Sequence, residues 1–420
     1  MNRKKFCSSR SRNIGFIVCV VFFLHIFTSP LVSANEDLLA KIEKDSINYF
    51  IKYAHPKTGL VPDSSMRNAP ASISATGFSI LALVIAAENG WLPTDEAYNL
   101  IKKTLFTLHN KVQHEKGFFY HFISTNSGKR IWNSEASSID TALCIAGALV
   151  AGQYFKDTII ERLAQSLYER VEWDWMLNNS RLFCHGYKPE SGFLPYYWDT
   201  YSEHLILQAL GIGATKHAVP PECWDEWARL EDEYDGYSVI YAHSGSLFTY
   251  QFSHVFIDFR KLNDKGNNYY TNSKNAALAN KAFCFNYKGL YKSYGDSIWG
   301  ISASLGPRGY KAYGAKPGRG FHDGTIAPYS LLASLPFCKE EALSSIIKIY
   351  ALYKEKIYGQ CGFRDAFNLE KDWFAQQYIG IDQGVTIGMI ENYRSEFVWK
   401  LFMELPAIQR WIERCNLKSP

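Results

Sequence analysis

Neither charge is in excess: 45 lysines and arginines stand against 41 aspartates and glutamates over 420 residues. Five of those cations, Arg3, Lys4, Lys5, Arg10 and Arg12, fall in the first 34 residues, which hold no acid. The remainder is balanced, so nucleic acid is not an expected partner. Cysteine is scarce and badly spaced for a metal. No CxxC occurs, and beyond residue 34 the cysteines are Cys144, Cys184, Cys223, Cys284, Cys338, Cys361 and Cys415. An odd number at wide intervals excludes a zinc ribbon and a disulfide-built scaffold, while leaving room for one or two pairs. Glycine (29) and proline (15) are too few for a fibrous chain, and a hydrophobic content of 47% is too high for disorder. There is no Walker A loop, no GxGxxG after a strand, no HExxH and no GxSxG. The eleven histidines are scattered without ligand spacing. No cofactor and no metal are implied.

What is present begins with an address. The basic start is followed by the apolar run IGFIVCVVFFLHIF, then by Val32-Ser33-Ala34. This layout is that of a secretory signal peptide over residues 1–34, with cleavage after Ala34 and an exported, periplasmic or secreted product. The run is short of the roughly 20 apolar residues that a membrane span needs. No later stretch of the sequence is long and apolar enough to be a span.

From residue 35 the chain reads as one domain, without linkers or low-complexity tracts. Helices are expected over 36–53, 72–88, 95–112, 138–155, 158–176, 200–210, 247–261, 273–285, 339–355 and 385–402. Shorter ones are expected near 325–333 and 407–414. Some, such as SIDTALCIAGALVAGQYF, are apolar nearly all round and call for burial on both sides; others, such as 158–176, are amphipathic. That alternation predicts an all-α fold of two concentric rings of helices, an α/α toroid, with functional loops at one end.

The chemistry on offer is carboxylates beside aromatic rings. Glycosidic cleavage needs one acid to protonate the leaving oxygen and a second carboxylate to activate water or attack, and aromatic faces stack on sugars. Two acids stand at helix starts: Asp140, three residues after Ser137, and Glu203, three after Thr200. Each could close a capping box. Glu203 is flanked by Trp198, Tyr201 and His204, which favours a direct role. Glu135 stands in a loop close after Trp132. Further candidates for substrate contacts are His254, Asp258, Arg260, Trp299, Asp323, Arg364, Asp365, Asp382 and Glu391. Asp323-Gly324 and Asp382-Gln383-Gly384 could equally be turns, and Asp258 or Asp365 could pair with Arg260 or Arg364.

A series of stretches resembles the glucoamylase-like family of bacterial exported proteins, including the endo-β-1,2-glucanases of glycoside hydrolase family 144. They include Ser74-Ala75-Thr76-Gly77-Phe78, Gly117-Phe118-Phe119-Tyr120-His121-Phe122, Ser138-Ile139-Asp140-Thr141-Ala142-Leu143 and Tyr201-Ser202-Glu203. Later come Asp323-Gly324-Thr325, Gly362-Phe363-Arg364-Asp365-Ala366-Phe367-Asn368, Gly380-Ile381-Asp382-Gln383-Gly384 and Met389-Ile390-Glu391-Asn392. The resemblance runs from about Ile47 to Ile412. It implies an (α/α)6 barrel that hydrolyses β-1,2-glucan with inversion, its cleft acids falling on Glu135, Asp140 and Glu203. A monomer that meets no membrane after export is expected. Glu203 would be the general acid, with Glu135 or Asp140 serving water. The chain departs from the family pattern at Tyr250 and Phe252, where His and Tyr are usual, and at Leu305, where Asp is frequent. The resemblance leaves open exo action with release of a disaccharide, transglycosylation, and sugar binding without turnover.

Overall fold

Helices with no polar face must have protein on every side, and the fold is arranged around them. The computed structural model describes residues 30–418. In chain order the α-helices are α1 (Pro30–Tyr53), α2 (Ile73–Glu88), α3 (Thr94–Asn110), α4 (Ser138–Tyr154), α5 (Ile159–Arg170), α6 (Leu205–Gly213), α7 (Cys223–Glu226), α8 (Tyr269–Asn286), α9 (Pro328–Leu332), α10 (Lys339–Ile357), α11 (Gly380–Ser395), α12 (Phe397–Met403) and α13 (Pro406–Arg414). Residues from Leu39 onward form one compact unit; the stretch up to Leu38 is a separate one, of which residues 30–38 are described. Most of the expected leader therefore lies outside the described residues.

Helix α2 is buried from Ile73 to Ala87, and α4, α6 and α11 are buried along nearly their whole length. These are the inner ring: α2 packs on α4, α4 on α6, and α11 on both α2 and α9. The α2–α4 contact is closed by two glycines. A Cβ on Gly77 would lie 2.4 Å from Cα of Cys144, and one on Gly147 would lie 2.2 Å from the Gly77 carbonyl. The outer helices are amphipathic. Helix α5 buries Ile160, Leu163, Ala164, Leu167 and Tyr168, the spacing of one helical face, against α4. Helices α3, α13 and α10 similarly cover α2, α6 and α9. The result is the expected (α/α)6 toroid, and all seven cysteines after residue 34 are free thiols.

Several expected boundaries are corrected. The 247–261 stretch is no helix but three short 3-10 turns, Leu247–Tyr250, Ser253–Val255 and Phe259–Lys261. Its polar side chains stitch neighbouring inner elements together: Gln251 donates to the Ser330 carbonyl at 2.7 Å, and the Ser253 hydroxyl accepts from the Ile206 amide at 3.0 Å. These turns fill the sixth inner position. The 158–176 helix stops at Arg170 because Val171 turns extended, and the 385–402 helix is cut at Glu396, whose φ is +60°. The 200–210 helix begins only at Leu205, which frees Glu203 from the helix proper.

Short strand pairs, not anticipated from the sequence, lead into the inner helices. Ala71–Ser72 pairs with Phe122–Ile123 before α2, and Ala136–Ser137 pairs with Gly186–Lys188 before α4. Ser72 and Ser137 then cap their helices, accepting from the amides of Ala75 and Asp140. These pairs hold the site.

Candidate active site

The starts of α2, α4, α6 and α11 converge at one end of the inner ring. Ser74 in the first turn of α2 donates its hydroxyl to Oδ1 of Asp140 at 2.7 Å, and Ser137 donates to Oδ2 at 2.6 Å. Asp140 thus has half of a capping box, because its amide is capped by Ser137 at 3.2 Å while its carboxylate accepts from these two hydroxyls. Glu135, two residues before Ser137, lies in the loop that enters the Ala136–Ser137 strand. His121 precedes the Phe122–Ile123 strand, and its Nδ1 reaches Oε1 of Glu135 at 3.1 Å and Oδ2 of Asp140 at 3.7 Å.

Burial works against a charge on the His121 ring, but Asp140, Glu135 and Asp63 outweigh it and raise the group to about 9. The ring is an imidazolium at neutral pH. Burial also pushes Glu135 up, yet the hydrogen bond and charge of His121 leave it below the usual carboxylate range. Ligand atoms of His121, Glu135 and Asp140 lie within 4.8 Å of one another. His121 and the two acids form an ion-paired cluster.

Glu203 stands just before α6, buried, with the Ser202 hydroxyl bonded to Oε2. Burial raises its carboxyl, hydrogen bonds from Ser202 and the backbone offset part of this, and the Asp140 charge raises it further. A cavity of about 590 Å³ opens beside it, lined by Tyr196, Trp198, Asp199, Tyr201, His243 and Phe248 among others. Asp365 and Asp382 are both buried. Asp365 accepts from the Leu305 amide at 2.5 Å, and burial pushes it up to about 6. Asp382, in the first turn of α11, has neither carboxyl oxygen hydrogen-bonded; burial first, and then Asp365, hold it far above the ordinary range. Tyr310, on the hairpin Ser304–Gly306 with Gly309–Lys311, sits in the field of Asp382, Asp365, Asp63 and Glu203.

The candidates divide accordingly. Glu135, Asp140, Glu203, Asp365 and Asp382 come together. Trp132 is 70% exposed, with its ring edge-on to Phe122, and holds a left-handed backbone (φ +56°) followed by another at Asn133 (φ +50°). A non-glycine pair in that region is costly and persists where surroundings enforce it. Trp198 borders the cavity but is mostly enclosed, stacked between His185 and His204 with its indole N–H on Ser138 at 3.0 Å. Tyr201 borders it too but is buried, in a cluster with Trp227, Tyr250 and Tyr269.

Other candidates stand elsewhere in the fold. Arg260 forms a two-pronged pair with Asp258 at 2.8 Å on each prong, reaches Glu396 and covers Trp399. His254 is buried between Phe259 and Phe337 with Nε2 on Ser273. Trp299 is fully buried. Arg364 does not pair with Asp365 but donates to the Lys356 carbonyl near the end of α10 at 2.9 Å. Glu391 accepts from Asn89 and Ser395 and lies beside Arg394, which pairs with buried Glu43. Asp323 caps its own turn, accepting from the Thr325 hydroxyl at 2.6 Å, and borders a separate groove of about 380 Å³.

His121, Asp63, Ser74 and Tyr310 were not singled out by the sequence. His121 and Ser74 lie inside stretches that carry the resemblance, which was the one available signal.

A family model described as "Putative glucoamylase" matches residues 195–406, just over half of the chain. An exo-β-1,2-glucooligosaccharide sophorohydrolase (non-reducing end) of Parabacteroides distasonis is 28% identical, covering 90% of this chain. The chain spans only 58% of that relative's length. An endo-β-1,2-glucanase from Chitinophaga pinensis, solved with sophorotriose and glucose, superposes with a TM-score of 0.86 at 27% identity, over 92% of this chain and 99% of that one. A glucoamylase of the same description as the family model, from Bacteroides uniformis, gives 0.87 at 29% identity, over 92% and 98%. With an (α/α)6 toroid, a cleft of carboxylates at one end of its inner ring and the family match over half its length, the chain belongs to this glucoamylase-like family.

Proposed function

We propose that this protein is a glycoside hydrolase that cleaves β-1,2-linked glucan with inversion, Glu203 acting as the general acid. The observation that carries the reading is the contrast between two neighbouring carboxyls. The Glu203 carboxyl is pushed up by burial and by the charge of Asp140, while His121 pulls Glu135 below the usual carboxylate range. Environments that push two acids apart assign one to donate a proton and the other to accept one. Protonation of the leaving oxygen by Glu203 would coincide with attack by a water that Glu135 or Asp140 deprotonates, so the bond breaks without a free alkoxide. Inversion needs about 6.5–9.5 Å between the acting carboxyls to admit that water. The β-1,2-glucanase relatives, one of them matching at full length, support the linkage.

The test is incubation of the purified protein with linear β-1,2-glucan, following reducing ends and product sizes by chromatography and the anomer formed by NMR. Mixed short oligomers with α-anomeric ends are the expected result. No product from β-1,2-glucan, with β-1,3-, β-1,4- and α-linked glucans also intact, would sink the reading. An exo mode is favoured by one observation, the sophorohydrolase relative; release of a single disaccharide would select it. Export over residues 1–34 is part of the same proposal and is tested by N-terminal sequencing of the protein recovered outside the cytoplasm. Among the described residues no helix is long and apolar enough to cross a membrane.

A further inference from the structure

Glu135 and Asp140 stand close together, and something must keep one of them from taking up a proton or turning away. The residue between them is His121, and its geometry is fixed from three directions. Its amide donates to the Glu135 carbonyl at 2.9 Å, and its own carbonyl accepts from the Ile73 amide at 3.2 Å, so the backbone is pinned to the strands leading into both α2 and α4. Its ring lies flat on Phe122, with centroids 3.9 Å apart and planes at 16°. Its Nδ1 faces both acids, and Asp140 is held in turn by the hydroxyls of Ser74 and Ser137. About a third of the side chain's surface is exposed.

Resting on the hydrolase reading, we propose that His121 is a positioning residue of the cleft: its imidazolium bridges Glu135 and Asp140 and fixes their oxygens to receive the attacking water. Like charges this close disfavour each other's ionised forms. Without a cation between them one acid would rotate or bind a proton, and either change removes a base from a defined place. The charged groups facing the ring are Glu135, Asp140 and Asp63, and its stacked face meets an apolar side chain. Lys188 lowers the Glu135 carboxyl from outside this cluster, so part of that acid's anionic character is independent of His121. His121 acts through the two carboxylates and makes no bond to sugar in this scheme.

Two measurements on the full chain test this. The first compares wild type with His121→Gln, which keeps a donor and loses the charge. A misplacement of the order of an ångström costs about 10²-fold in turnover. The expected result is therefore a fall in kcat of about that size with KM nearly unchanged, and a much smaller effect of the same change in a Glu135→Gln background. The second follows the His121 ring by NMR in the folded wild type. It should titrate near 9, and the midpoint should move toward the ordinary value of about 6.5 in Glu135→Gln. Retention of wild-type kcat by a folded His121→Gln, or a wild-type ring that titrates near 6.5, overturns the proposal. Should wild type cleave no glucan while the ring titrates near 9, the ion-paired bridge is upheld and the substrate reading alone fails. The NMR arm decides the bridge even if the variant does not fold.

Discussion

The hydroxyl of Ser74, in the first turn of α2, donates to Oδ1 of Asp140, in the first turn of α4, at 2.7 Å. The bond ties a cleft acid to the neighbouring inner helix, across the contact that Gly77 and Gly147 make close. Ser74→Ala removes a hydrogen bond to a charged group, which contributes about 1.5–3 kcal/mol. Because Asp140 borders the cleft and water can replace the hydroxyl, the loss should fall on orientation more than on folding. We expect kcat to drop about tenfold or more with little change in KM or Tm. A variant with unchanged kcat would show that Ser137 and His121 hold Asp140 without help.

Glu203→Gln keeps the shape of the proposed general acid and removes its proton. General acid catalysis contributes about 10²–10⁴-fold, so turnover should fall by about that range while glucan binding, measured by calorimetry, persists. The sign of the pH dependence follows from burial, which raises the Glu203 carboxyl. Wild-type activity should be lost on the alkaline side as the proton leaves Glu203. Stability carries the same sign, since a carboxyl raised in the folded state binds its proton more weakly on unfolding and so destabilises the fold as pH rises above the unfolded value of about 4. Glu203→Gln should therefore raise Tm at pH 7 relative to wild type and leave it unchanged near pH 4.

The raised carboxyls of Asp365 and Asp382 have a related consequence that involves no catalysis. Asp365 is pushed up to about 6 by burial, and Asp382 lies further above the ordinary range. Between the unfolded value of about 4 and these raised ones, the native state binds protons that the unfolded chain does not, so stability declines with rising pH. Asp382→Asn removes one titrating group. It should stabilise the protein at pH 8 relative to wild type, because the asparagine has no raised proton affinity to lose on unfolding. No gain is expected at pH 4. Urea melts at the two pH values measure it. An equal effect of the substitution at both pH values would mean that Asp382 is not raised in the folded state.

The toroid was legible because all-apolar helices such as Ser138–Tyr154 and amphipathic ones such as Ile159–Arg170 demand different surroundings, and two rings supply both. The sixth inner element was misread because Gln251 and Ser253 look tolerable in a helix, whereas their side chains bond to α9 and α6 and hold the chain in tight turns. The place of Glu203 at the cavity was legible from its aromatic flank. His121 was not, since its partners lie 14 and 19 positions away and meet it only through strand pairing, which leaves no spacing to read. Trp299 and His254 were indistinguishable in sequence from cleft residues, and the structure encloses both, His254 between Phe259 and Phe337.

Trp132 leaves its ring at the surface beside the cleft. That ring touches Phe122, the residue on which His121 stacks, so a sugar lying on Trp132 would be placed next to the ion-paired acids. Aromatic contacts of this kind contribute about 0.5–1.5 kcal/mol, and about 1.4 kcal/mol is tenfold in affinity. Trp132→Ala should therefore raise KM about 2- to 10-fold and leave kcat near wild type, because the ring binds and takes no part in proton transfer. The left-handed backbone at Trp132 gives a second readout. Trp132→Gly relieves that strain and should melt no lower than Trp132→Ala, although glycine loosens the unfolded chain. If Trp132→Ala instead lowers kcat with KM constant, the loop positions Glu135 rather than the sugar.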